Sequence, residues 1–107
     1  MTHETAYNEI TAFIEKAVQI NLQMGETAMA YQKSLLLSFA KSLQQKNTNH
    51  KHNLEVLISI ILRSIEITTN YKDYTQADQM RLIYELAMSL QDRCQDKNDG
   101  QLIKLLN

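Results

Sequence analysis

Proline is absent from the chain, and glycine occurs only at Gly25 and Gly100. A β-sandwich or barrel of 107 residues needs many tight turns, which Gly, Pro, Asn and Asp normally supply. Two isolated glycines also exclude a glycine-rich phosphate loop, and the composition excludes a collagen repeat or proline-rich linker. The single cysteine, Cys94, cannot close an internal disulfide or build a multi-cysteine zinc motif. Basic surplus is missing too: 11 Lys and Arg stand against 12 Asp and Glu, for a net charge of −1. Non-specific nucleic-acid binding draws on such a surplus, so no nucleic-acid partner is expected. The longest apolar stretch, Val56 to Leu62, is interrupted by Ser59. A membrane span takes about 20 apolar residues. The opening MTHETAYNEI has no basic segment leading into an apolar one, so it does not read as a signal peptide. A soluble, cytoplasmic chain without stable membrane insertion is expected.

What the chain does have is helical periodicity. A first helix is predicted over about Thr5 to Met24, capped by Thr2 or Thr5, with Ala6, Ile10, Phe13, Ile14, Ala17, Val18 and Met24 as its apolar stripe. Gly25 follows where a helix end calls for positive φ. A second helix, about Thr27 to Gln45, presents Ala28, Leu35, Leu36, Phe39, Ala40 and Leu43. The polar run Lys46 to His52 ends it, because Asn and Thr compete for backbone hydrogen bonds. A third helix is predicted from about Leu54 to Thr69, capped by Asn53. Its LEVLISIIL segment is β-branched and strand-like. Continuation of the apolar run through Ile65 and Ile67, and helical spacing of Leu54, Leu57, Ile58, Ile61 and Ile65, favour helix. With Val56, Ile60 and Leu62 on its other sides, it should be the central, most buried element. A fourth helix, about Gln76 to Arg93, has a Thr75–Asp78 capping pattern and a stripe of Met80, Ile83, Leu86, Ala87 and Leu90 that Cys94 extends. Asp96 to Gly100 reads as a turn, followed by the apolar tail Leu102, Ile103, Leu105 and Leu106. Matched helices with short connections give an all-α fold: one antiparallel up-down four-helix bundle, residues 1–107, with a short C-terminal tail or helix.

Chemistry has little to work with. His50 and His52 lie in a polar turn with no third ligand nearby, and His3 sits at the terminus. Cys94 continues an apolar stripe and has Arg93 as its one adjacent cation, a setting for a buried, unreactive thiol. No His follows a Glu at the Glu-x-x-His spacing of bundle di-metal sites. Neither an enzyme nor a metal or other cofactor is expected. Recognition is better supported. Tyr71, Lys72, Asp73 and Tyr74 join helices 3 and 4, and tyrosine combines contact area with a polar tip. The tail Leu102, Ile103, Leu105 and Leu106 is a second candidate, as a lid on a groove or a surface for a partner helix. Residues 54–107 carry six cations and eight acids against five and four in residues 1–53, a mild acidic bias.

The succession SLLLSFAKSLQQ, an Asn-rich polar loop, NLEVLISIILRSIEITTNY, a short charged loop and MRLIYELAMSLQD resembles the immunity proteins of pediocin-like bacteriocins. The resemblance spans about residues 30–97; residues 1–29 have no strong counterpart, and the tail matches loosely. It implies a small cytosolic four-helix bundle that protects a producing cell from its own pore-forming peptide. It further implies action on the membrane components of the mannose phosphotransferase permease with bound bacteriocin. The C-terminal half would then decide which bacteriocin is resisted. The alternatives are a helical adaptor or secretion partner, or a small phage- or plasmid-encoded inhibitor acting by protein binding.

Overall fold

The computed structural model describes the backbone of residues 1–106 and the side chains of residues 1–94. Four helices follow one another: α1 (His3–Gln23), α2 (Thr27–Lys46), α3 (His50–Asn70) and α4 (Tyr74–Leu106). Among the described residues there is no strand, so the β-branched LEVLISIIL segment is helical. Leu54, Leu57, Ile58, Ile61 and Ile65 are all buried along it. Spacing has overruled residue propensity, because packing of an apolar face contributes more than the few tenths of a kcal/mol at stake per residue. The bundle is antiparallel; α1 packs against all three other helices, α2 and α3 touch only sparsely, and α2 and α4, diagonal to each other, touch least.

The caps explain the boundaries. Thr2 accepts from the Thr5 amide and starts α1. Asn49 caps α3 by accepting from the His52 amide, four residues before the expected Asn53. The polar run is therefore mostly helical, and the α2–α3 connection shrinks to Asn47, Thr48 and Asn49. Asn53 is instead buried, donating from Nδ2 to the Asn47 carbonyl at 2.8 Å. The side chain of Asp73, not of Thr75, accepts from the Gln76 amide at 3.3 Å and caps α4. Beyond Arg93, α4 continues to Leu106 where a turn was expected at Asp96–Gly100. Asn, Asp and Gly there are weak helix formers, but without proline none blocks the helix sterically. The tail residues Leu102, Ile103, Leu105 and Leu106 lie outside the described side chains.

The core unites Ile10 and Ile14 of α1, Leu36 and Ala40 of α2, the α3 stripe, and Met80, Ile83, Ala87, Leu90 and Cys94 of α4. Tyr7, fully buried, donates its hydroxyl to the Ala40 carbonyl at 2.6 Å and ties α1 to α2. Four expectations about burial change. On α1, Phe13 and Met24 are exposed, not part of the buried stripe. Leu86 is only partly buried, with Ala87 taking the core position beside it. Ile60, Leu62 and Ile67 are exposed, so α3 is not the buried centre of the bundle. On α2, Ala28, Leu35 and Phe39 face outward, and the buried line is Ala30, Lys33, Leu36 and Ala40. A lysine within that line hides the true register from a hydrophobicity pattern.

Candidate recognition surface

The α1–α2 and α3–α4 turns lie at the same end of the bundle and have one geometry. At the first, Gly25 has φ +75°, its amide donates to the Leu22 carbonyl, and the Glu26 amide donates to the Asn21 carbonyl. At the second, Lys72 has φ 61°, its amide donates to Thr69, and the Asp73 amide donates to Thr68. Both are Schellman closures, which satisfy the last carbonyls of the preceding helix. Glycine adopts this conformation freely, whereas a side chain there costs roughly 1–2 kcal/mol. The chain accepts that cost at Lys72.

Around Lys72 the expected residues come together as one exposed turn. Tyr71 is 84% exposed and Tyr74, the first residue of α4, is 57% exposed. Asp73 is committed to capping α4, so its carboxylate has a structural task. Tyr31 and Met24, at 65% and 69% exposure, belong to the same end. Met24 was expected in the α1 stripe, and nothing in the spacing singled out Tyr31.

Two grooves open on the sides of the bundle. The larger, about 370 Å³, separates α2 from α3 and is walled by Leu35, Phe39, Ile60 and Ile67 over a floor of Leu36 and Met80. The smaller, about 230 Å³, lies between α1 and α4 and is lined by Phe13, Ile20, Met24 and Leu82 with Lys33 among its polar residues.

Between the grooves runs a polar network that the sequence reading missed. Lys33 is 1% exposed. Its ammonium donates to Asn21 Oδ1 at 2.7 Å, to Gln76 Oε1 at 3.2 Å and to Gln79 Oε1. Gln76 Nε2 in turn donates to Gln32 Oε1 at 2.8 Å, and Asn21 Nδ2 to Glu26 Oε1 at 3.2 Å. Burial lowers the Lys33 pKa, and the negative charges of Glu26 and Asp73 act in the opposite sense. Three acceptors meet the three donors of the ammonium, so the group holds α1, α2 and α4 together and has no proton left for a ligand. The signal for it was a lysine at helical spacing between Ala30 and Leu36.

At the opposite end, His50 Nε2 stands 3.8 Å from Glu4 Oε2. His3 has a lowered pKa, chiefly from burial and then from Lys51, with Glu55 opposing. Among the described residues, no three His, Cys, Asp or Glu side chains are grouped as metal ligands, and Cys94 is buried. No described helix is long and apolar enough to cross a membrane. No protein-family model, curated protein or solved structure matches the chain.

Proposed function

We propose that this protein works without catalysis, by recognising another protein, and that its role is cytoplasmic immunity to a pediocin-like, pore-forming bacteriocin. The observation that carries the recognition part is the α3–α4 turn. Tyr71 and Tyr74 are exposed there on either side of a lysine held at positive φ. The equivalent turn at the same end uses glycine. Strain retained at an exposed position flanked by aromatics is what a binding element tolerates and a mere connection avoids.

The immunity part rests on the resemblance of residues 30–97 to that family, in size, helix order and apolar pattern. On this reading the partner is the membrane part of the mannose phosphotransferase permease with bacteriocin engaged. The protein meets it at the inner face of the membrane, and residues 54–107 set the specificity. A helical adaptor is the alternative reading, favoured by the two apolar grooves.

Expression in a sensitive strain should raise resistance to one or a few pediocin-like peptides and leave sensitivity to pore formers with other receptors unchanged. Exchanging residues 54–107 with those of a related immunity protein should move the resistance spectrum with that half. A spectrum that follows residues 1–53 removes the specificity assignment. Failure to resist any pediocin-like peptide removes immunity and leaves the adaptor.

A further inference from the structure

We infer that the α1–α4 groove binds a free α-amino acid with a large apolar side chain. The α2–α3 groove has no charged residue in its lining. The α1–α4 groove has both signs, Lys33 and Glu26, beside the neutral amides of Asn21 and Gln79. Lys33 and Asn21 are 1% and 4% exposed, so this polar end is built into the bundle and is not a patch of surface side chains. Convergent polar groups at one end of an apolar hollow are the usual form of a small-molecule site.

Lys33 is a buried cation without an anion. Its three acceptors are neutral amides, and among the described residues no carboxylate lies within ion-pair distance of it. Amide dipoles satisfy its donors but leave its charge uncompensated in a medium that screens poorly. Gln79 carries that charge to the groove. Its Oε1 accepts from the ammonium, which leaves Nε2 without a protein partner among the described residues. A ligand carboxylate accepts from Gln79 Nε2 with the lysine charge behind it, and the three protons of Lys33 stay where they are. Glu26 supplies the other sign. Its Oε1 accepts from Asn21 Nδ2 at 3.2 Å, and Oε2 is left for an ammonium group. Asn21 Nδ2 also stands 3.4 Å from Gln79 Oε1, so one side chain holds the acid and the amide next to each other.

Charge and size select the occupant. A simple anion is drawn by Lys33 and opposed by Glu26; a simple cation meets the reverse. A zwitterion satisfies both, with its carboxylate on Gln79 and its ammonium on Glu26. The apolar part of the ligand lies on Phe13, Ile20, Met24 and Leu82, which are exposed in the free protein. Met24, unbranched, adapts its shape to that group. The hollow of about 230 Å³ falls below the roughly 300–1,000 Å³ of pockets for drug-sized ligands, so one amino acid suits it better than a helix or a lipid chain. This site lies apart from the α3–α4 turn and does not rest on the immunity reading.

The test titrates the isotope-labelled full-length protein with L-phenylalanine and follows its amide shifts. These should saturate with a Kd of about 1 mM or tighter, the affinity open to so small a ligand, and should concentrate on residues 13–26 and 76–83. Phenylpropionate lacks the ammonium, phenethylamine the carboxylate and glycine the side chain, and each should bind at least about fivefold more weakly. Glu26→Gln keeps the oxygen that meets Asn21 and should bring L-phenylalanine down to the level of phenylpropionate. Leu82→Glu, at an exposed position, should weaken L-phenylalanine at least about fivefold, while Leu35→Glu on the α2–α3 face should not. No saturation by about 20 mM, phenylpropionate or phenethylamine binding as tightly as L-phenylalanine, or shifts confined to the α2–α3 groove overturns the inference. So does unchanged L-phenylalanine binding in either Glu26→Gln or Leu82→Glu. A failed resistance assay beside saturable L-phenylalanine binding would remove immunity and leave this site.

Discussion

Lys33 is the residue on which the packing of three helices converges. Replacing it by Met keeps the volume but leaves the oxygens of Asn21, Gln76 and Gln79 facing an apolar group. Unfolding in urea should show a loss of about 2–4 kcal/mol. Replacing the acceptors as well, with Asn21→Leu and Gln76→Leu beside Lys33→Met, should recover much of it, since a complete apolar substitution avoids the unpaired groups. A single Lys33→Met variant as stable as the parent would show that the network adds nothing. Tyr7 gives a prediction about pH. Burial raises its pKa from 10.0 to about 12. The neutral phenol is favoured in the folded state, so this contribution is complete below pH 10 and is lost as pH rises towards 12. Lys33, with its pKa lowered, acts in the opposite sense: folding gains as pH rises through its folded pKa towards 10.5. In Tyr7→Phe the loss of stability between pH 10 and 12 should shrink by up to about 3 kcal/mol. An unchanged alkaline limb would mean that Tyr7 ionises without unfolding.

Helices and turns show which features a sequence makes legible. The α3 stripe Leu54, Leu57, Ile58, Ile61 and Ile65 could be read directly, because every member is apolar and the spacing is regular. The α2 stripe could not. Its buried face includes Lys33, while Leu35 and Phe39, the more hydrophobic residues, form the wall of a groove. A pattern of hydrophobicity finds the face that avoids water, and on a binding helix that need not be the face that meets the core. The position of the α3–α4 turn was legible from the polar residues between two apolar stripes, but the strain at Lys72 was not, since it depends on the closure both helices impose. Lys72→Gly should relieve that strain and raise stability by about 0.5–1 kcal/mol, net of the extra freedom glycine gives the unfolded chain. The melting temperature should rise by a few degrees. If recognition uses the lysine, the more stable variant should protect cells less well. Greater stability with full protection would assign the lysine no part in binding.

At the scale of the whole molecule, the bundle places its features on different surfaces. One end carries the two Schellman turns, with Tyr31, Tyr71 and Tyr74 exposed. The apolar α2–α3 groove leads towards that end through Ile67 and Thr68, and the Lys33 network braces the helices behind it. Burial of Tyr7 and the α1 stripe holds the framework together independently of the turn, so the turn can be altered without dissolving the fold. Protection by cells expressing Tyr71→Ala/Tyr74→Ala, beside the intact protein and at matched soluble levels and melting temperature, is therefore the direct measurement. The intact protein should raise the inhibitory concentration of at least one pediocin-like peptide, and the double variant should lose about tenfold or more of that gain, equivalent to about 1.4 kcal/mol of binding. A double variant that protects as well as the intact protein, at equal expression, would contradict recognition through this turn.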